Sequence, residues 1–236
     1  MDIELLQGSK NPKNLIDLFR YKRNFRKENP EYFYPEGLLV FCGSQGSGKT
    51  LSAVQYVKKL CIEYPRAILV TNTKIEGLPG HTAVIPYDGI KSLTSHNNGL
   101  CGVIYFIDEI HLEFNSLESK NIPIEIMIEV SQQRKQRKHI IGTSQVYMRM
   151  AKPFREQIKN VVICKKYFNC IQFNKLIDGE TAREEGGKLK ADVKKNIVWF
   201  HSPSAYSSYD TFAKMKRYSK EWNGVSRINI YEGSNL

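Results

Sequence analysis

Hydrophobic and polar positions along this chain fall into blocks of two kinds. Leu38-Leu39-Val40-Phe41-Cys42 is an unbroken apolar run, the pattern of a strand buried on both faces. Residues 49–63 follow with Leu51, Val54, Val57 and Cys61 near the helical period, which predicts a helix. Residues 66–71 predict a second strand, residues 81–87 a short one, and residues 102–107 another continuous apolar strand. Residues 122–138 predict a helix with Ile124, Ile126, Met127, Ile128 and Val130 on its apolar side. Ile140-Ile141-Gly142-Thr143 and residues 160–164 read as further strands. Strand and helix signals in alternation predict a mostly parallel sheet covered by helices, an α/β fold.

The pattern changes at both ends. After about residue 166, residues 167–177 and 195–200 read as extra strands flanking a charged segment, residues 178–190, expected to be a mobile loop. Residues 1–36 read as an accessory arm. It carries Arg20-Tyr21-Lys22-Arg23-Asn24-Phe25-Arg26-Lys27 and then Pro30-Glu31-Tyr32-Phe33-Tyr34-Pro35. Basic residues interleaved with aromatics suit a nucleic-acid backbone with base stacking. The same segment also reads as a helix whose Leu15, Phe19 and Phe25 pack on the core. The expected organisation is an arm over residues 1–36 and one α/β domain over residues 37–236 with an elaborated β edge.

Composition narrows the class. With 236 residues, 41% hydrophobic and 25% charged, the chain is long and apolar enough for one sizeable core. The formal net charge of +11 favours a polyanionic partner, with nucleic acid the usual one, over a basic surface that meets only nucleotide. Cys42, Cys61, Cys101, Cys164 and Cys170 form no C-x-x-C pair, and several lie in apolar runs. They read as small core residues of a reducing compartment. The start, Met-Asp-Ile-Glu, does not resemble a signal peptide, and no apolar run approaches the ~18 residues that span a bilayer. The expectation is a cytoplasmic protein without direct transmembrane insertion.

The chemistry is concentrated after the first strand. Gly43-Ser44-Gln45-Gly46-Ser47-Gly48-Lys49-Thr50 matches the G-x-x-x-x-G-K-[ST] phosphate-binding loop, and it lies between a strand and a helix as that motif requires. Glycines let successive backbone N–H groups turn toward one anion, and the helix N-terminus adds unpaired donors. Lys49 then reaches the β- and γ-phosphates of ATP, and the Thr50 hydroxyl binds Mg²⁺. Val103-Ile104-Tyr105-Phe106-Ile107-Asp108-Glu109 is an apolar strand ending in two carboxylates, 58 residues beyond Thr50 (108 − 50), and fits the Walker B pattern. Asp108 is the candidate Mg²⁺ ligand, against a plain strand-end cap, and Glu109 the candidate base for water, against a surface carboxylate. In Gly142-Thr143-Ser144-Gln145, Ser144 and Gln145 are candidates to sense the γ-phosphate or orient the water, Gln145 being preferred of the two, against an ordinary strand-end turn. Arg134 and Arg137 lie in a basic run, residues 132–139, that reads as a solvated helix end, a DNA contact or an arginine donor to a neighbouring subunit. Arg149 and Arg155 are rival arginine fingers. His111 lacks visible metal-ligating partners and reads as a surface or supporting histidine.

Together the phosphate loop, Ile107-Asp108-Glu109 and Gly142-Thr143-Ser144-Gln145 resemble the FtsK/HerA superfamily of DNA-pumping ATPases. The likeness is greater to its compact viral branch, genome-packaging ATPases and zonular occludens toxin-like ATPases. The basic stretch before Thr143-Ser144-Gln145, and Ser207-Ser208-Tyr209-Asp210-Thr211, belong to the likeness. It covers roughly residues 37–165 and that late motif. It implies a RecA/FtsK-HerA-like P-loop NTPase fold. It also implies a homo-oligomeric, often hexameric ring that threads DNA without reading its sequence, each ATP site completed by a neighbour's arginine. Toxin-like members carry a membrane-spanning helix that no run here supplies, which shifts the expectation toward packaging ATPases working with a capsid or membrane-associated portal, in host cytoplasm or on a virion. The competing expectations are a nucleoside or metabolite kinase and a nucleotide-gated DNA-binding assembly factor. The Asp-Glu pair and the basicity weigh against the kinase.

Overall fold

The computed structural model describes residues 13–185 and 188–209. In chain order it contains α1 (Lys13–Glu28), β1 (Gly37–Cys42), α2 (Lys49–Glu63), β2 (Ile68–Thr71), β3 (Ala83–Pro86), α3 (Ser92–Ser95) and β4 (Val103–Ile107). There follow α4 (Ile124–Gln132), β5 (Lys138–Ser144), α5 (Lys152–Arg155), β6 (Ile158–Tyr167), β7 (Ile171–Asp178), β8 (Arg183–Glu185), β9 (Lys188–Lys190), β10 (Val193–Phe200) and α6 (Pro203–Tyr206). Eight strands form one sheet in the order β10-β7-β6-β1-β5-β4-β2-β3. From β6 to β3 every pairing is parallel, while β7 and β10 add antiparallel at one edge.

The apolar runs are continuous because both faces of the parallel strands are covered. Leu38, Val40 and Cys42 of β1 join Tyr105, Ile107 and Ile140 in one core, closed by Ile110, Phe114, Ile126, Val130 and Phe154. Leu39 and Phe41 join Ile104, Phe106 and Ile141 in the other, closed by Ala53, Val54, Val57, Leu60 and Cys61 of α2. Strand side chains alternate between faces, so odd and even positions of β1 separate cleanly between the two cores. Burying each such aliphatic side chain contributes about 1.5–3 kcal/mol.

Four expectations change. The helix expected over 122–138 ends at Gln132, although residues 133–137 are good helix formers. Lys138 already pairs with Val103 as the first residue of β5, and Arg137 reverses the chain at a left-handed φ of 53°. Sheet pairing here overrides helix propensity. The segment expected to be a mobile loop carries an antiparallel hairpin, β8 with β9, although residues 186 and 187 at its turn lie outside the described residues. Leu15 and Phe19 do not pack on the core: α1 buries none of its residues, and Phe25 meets Tyr32 of the same arm edge-on, at 5.0 Å between ring centroids. The strand expected over 160–164 runs longer, from Ile158 to Tyr167 as β6, and the strand expected over 167–177 begins only at Ile171 as β7. Residues 1–12 of the arm, and Asp210 and Thr211 of the late motif, lie outside the described residues.

Candidate nucleotide site

β5 lies between β1 and β4, so the carboxyl ends of these three strands open onto one space. The loop from Gly43 to Thr50 leaves β1, Asp108 and Glu109 leave β4, and Thr143 to Gln145 end β5. The loop needs its glycines for different reasons. Gly46 and Gly48 adopt left-handed φ values of 77° and 80°. A Cβ on Gly43 would sit 2.8 Å from the Cys164 carbonyl.

The capacity of the site is for anions, and much of it is unused within the chain. Lys49 is 8% exposed, and its ammonium meets Glu109 Oε1 at 3.7 Å, beyond hydrogen-bond range. Among the described residues, Ser47 Oγ and Glu109 Oε2 are buried without hydrogen bonds. Thr50 donates to Asp108 Oδ1 at 3.1 Å and Thr143 donates to the same oxygen at 2.5 Å. Burial raises the Asp108 pKa, the Thr143 hydrogen bond opposes this, and the Glu109 charge adds to the rise. A divalent cation beside Asp108 reverses that balance. The donor set is a carboxylate and a hydroxyl, hard oxygens of the kind Mg²⁺ takes.

Glu109 is held in a strained pose, at left-handed φ 55° and ψ 44°, which costs a non-glycine residue about 1 kcal/mol or more. Two contacts impose it. Its N–H donates to Thr143 Oγ1 at 2.8 Å, and the next residue, Ile110, packs onto β5 where only Gly142 leaves room. A Cβ on Gly142 would fall 2.6 Å from Ile110. His111, expected at the surface or in support, is buried with Nδ1 at 3.3 Å from Glu109 Oε2. Gln145 is exposed and donates weakly to Glu109 Oε1 at 3.5 Å, while Ser144 is buried and turns its hydroxyl to the Val146 carbonyl.

The arginines separate by location. Arg134 and Arg137 sit at the amino end of the sheet, across from the phosphate loop. Arg134 forms an ion pair with Glu36 at 2.6 Å and Arg137 stacks over Tyr32 at 4.6 Å. Arg155 reaches Met148 and the Tyr147 ring. Arg149 follows β5 at the nucleotide end and is exposed, and its side chain makes no hydrogen bond or ion pair among the described residues.

Two supporting residues lie outside every motif of the sequence. Asn72, just after β2, clamps the Asp108 backbone with both amide atoms: its Nδ2 donates to the Asp108 carbonyl at 3.0 Å, and its Oδ1 accepts from the Asp108 N–H at 2.8 Å. A polar residue at the carboxyl end of a strand is the available signal, the same one that marks Gln145. Gln172 of β7 lies beneath the loop and donates to the Ser47 carbonyl at 3.0 Å. Nothing in the sequence around it marks that role.

No protein-family model matches this sequence, and no curated protein matches it either. Solved structures match it in fold. The N-terminal domain of zonular occludens toxin from Neisseria meningitidis aligns with a TM-score of 0.50 at 14% identity, over 75% of this chain and 100% of its own. The genome packaging NTPase B204 from Sulfolobus turreted icosahedral virus 2, in complex with ATP-gammaS, aligns at 0.48 and 12% identity, over 67% and 98%. B204, the DNA-packaging ATPase from Sulfolobus turreted icosahedral virus, aligns at 0.47 and 11% identity, over 72% and 98%. At such identities the likeness is one of fold, and the first of the three carries it. The sheet order, the phosphate loop and that likeness define a P-loop NTPase fold: α/β, with a mostly parallel sheet between helices and extra antiparallel strands at its C-terminal edge. Among the described residues no helix is long and apolar enough to cross a membrane.

Proposed function

We propose that this protein hydrolyses ATP and uses the energy to move DNA, as a ring-forming motor that packages a viral or mobile-element genome. The observation that carries the hydrolytic part is the meeting of an under-satisfied buried lysine, a hydroxyl–carboxylate pair and a strained glutamate at the ends of three neighbouring strands. The loop backbone from Gly43 to Gly48, together with Ser44, Gln45, Ser47 and Lys49, takes the triphosphate. Thr50 and Asp108 hold Mg²⁺, which when bound neutralises charge on the phosphates. Glu109 accepts a proton from the water that attacks the γ-phosphorus, and the bond to the β-phosphate oxygen breaks. Gln145, exposed beside Glu109, orients that water. The charge completing the site from a neighbouring subunit is best supplied by Arg149, which is exposed at the same end of the sheet, whereas Arg134, Arg137 and Arg155 are engaged within the chain.

The DNA part rests on the net charge of +11 and on the resemblance of the three motifs to DNA-pumping ATPases. Contacts to phosphates without base readout suit a motor indifferent to sequence. A hexameric ring, a cytoplasmic setting, a capsid or portal partner, and the division into an arm over 1–36 and a domain over 37–236 belong to the same proposal.

The test is steady-state ATP hydrolysis at low salt, without DNA, with duplex DNA and with single-stranded DNA, alongside Lys49→Ala. Several-fold stimulation by DNA that disappears with salt and with the variant is the expected result. Hydrolysis that depends on Lys49 but ignores both DNA forms overturns the motor and keeps the ATPase.

A further inference from the structure

We propose that the antiparallel edge of the sheet is a built-in brace for the phosphate loop, with Gln172 and His201 as positioning residues for nucleotide binding. The inference deepens the nucleotide-binding part of the reading above and rests on it.

Gln172 is the second residue of β7 and is wholly buried. Both ends of its amide are engaged. Its Nε2 donates to the Ser47 carbonyl at 3.0 Å and to Asn174 Oδ1 at 2.9 Å. Its Oε1, which can only accept, faces His201 Nε2 at 3.1 Å. Asn174, two residues along the same face, donates to Ser52 in the first turns of α2 at 3.1 Å. Gln172 therefore fixes the loop, and its neighbour fixes the helix that the loop feeds.

The Ser47 contact matters because of peptide geometry. The Ser47 carbonyl and the Gly48 N–H belong to one planar trans peptide and point in opposite directions. Holding the carbonyl from beneath turns the Gly48 N–H up into the cradle, where a phosphate oxygen would sit. The approach is close: a Cβ on Gly48 would fall 2.1 Å from Gln172 Oε1, so the glycine admits the brace as well as its own left-handed turn.

His201 opens the segment after β10 and is held by the turn before β7, by Trp199 of β10 and by Tyr206 of α6. Its N–H donates to the Cys170 carbonyl at 2.8 Å, its ring packs 4.8 Å from Trp199, and its Nδ1 lies 2.6 Å from the Tyr206 hydroxyl. That segment then crosses α2. Ser208 Oγ accepts from Gln55 Nε2 of α2 at 3.3 Å, the Ser208 carbonyl accepts from the Glu76 N–H at 2.7 Å, and Tyr209 bridges to Ile75. The strap runs from the antiparallel edge to the loop after β2, with its polar contact aimed at the phosphate loop.

The experiment measures ATP affinity, KM, kcat and Tm for wild type, Gln172→Glu, His201→Ala and His201→Gln. Gln172→Glu keeps the shape and removes both donors. The expected result is an ATP Kd and KM about tenfold higher with kcat within threefold, the loss of roughly one hydrogen-bonded support. His201→Ala should weaken affinity about three- to fivefold, and His201→Gln, whose amide again donates to Gln172, should restore most of it. The half-exposed His201 variants keep the test valid if Gln172→Glu does not fold. Affinities within twofold of wild type, a loss confined to kcat, or no rescue by His201→Gln overturns the brace while leaving the nucleotide site standing. A wild-type chain that binds no ATP overturns both.

Discussion

The two ends of the central sheet carry similar residues and use them differently. At the carboxyl end, Lys49, Asp108 and Glu109 converge on a space in which, among the described residues, the lysine pairs with Glu109 at 3.7 Å and Glu109 Oε2 makes no hydrogen bond, with His111 Nδ1 3.3 Å away. At the amino end, Lys138, Arg134 and Arg137 each meet a partner within the chain, although Arg137 Nε is buried without a hydrogen bond among the described residues. Lys138 is buried against Glu129 and donates to the Leu93 carbonyl at 2.8 Å, Arg134 meets Glu36, and Arg137 covers Tyr32. Charge that is satisfied inside the chain serves the fold, and charge gathered but unsatisfied is available to a ligand. A basic run and a phosphate loop look equally functional as strings of letters. Pairing separates them.

Three changes test that contrast. Glu109→Gln at the carboxyl end should lower ATP turnover about 10²–10⁴-fold, the usual scale for a lost general base, while Tm holds and ATP remains bound. Turnover within threefold of wild type would remove Glu109 from the chemistry. Lys138→Met at the amino end should do the reverse. It leaves the largely buried Glu129 carboxylate unpaired and should cost about 3–5 kcal/mol in urea unfolding, with the ATP Kd of the folded protein unchanged.

The smallest effect concerns His139, also at the amino end. Its Nδ1 faces the Gly37 carbonyl at 2.8 Å and so carries the proton, leaving Nε2 to accept from the Tyr56 hydroxyl at 3.0 Å. Burial lowers its pKa from 6.5 to about 4. The unfolded chain therefore takes up this proton before the native state does. The neutral imidazole's contribution is complete above about pH 6.5 and is lost as the pH falls toward about 4, in total ~3 kcal/mol. Urea midpoints of wild type and His139→Gln, compared from pH 7.5 to pH 4.5, should converge as the pH falls. Parallel curves would mean that the ring has the same pKa in the native and unfolded states, and diverging curves that it is charged in the native state.

Much of this was legible in the chain. Unbroken apolar runs such as residues 103–107 exist because a strand covered on both faces has no polar side, so period and length suffice to find it. The phosphate-loop motif and the Asp-Glu pair were legible because each is a pattern of neighbouring residues within one short stretch. Other features depend on approach between distant segments. Gln172 is a polar residue on an edge strand until β7 turns back antiparallel along β6 and carries it beneath Ser47. Thr143 stands in a recognisable motif, yet its role, donating to Asp108 and accepting from the Glu109 N–H, follows from β5 lying beside β4. Residues 133–137 have helical propensity, but the pairing of Lys138 with Val103 ends the helix before them.

By itself the sequence determined the alternating elements, the parallel core and the glycine-rich loop, because hydrophobic periodicity and glycine geometry act over a few residues. Only the tertiary structure decided which charges remain available, which arginine stands exposed at the nucleotide end, and what braces the loop. Those outcomes depend on which buried polar groups find partners, and burial and pairing are properties of the packed sheet.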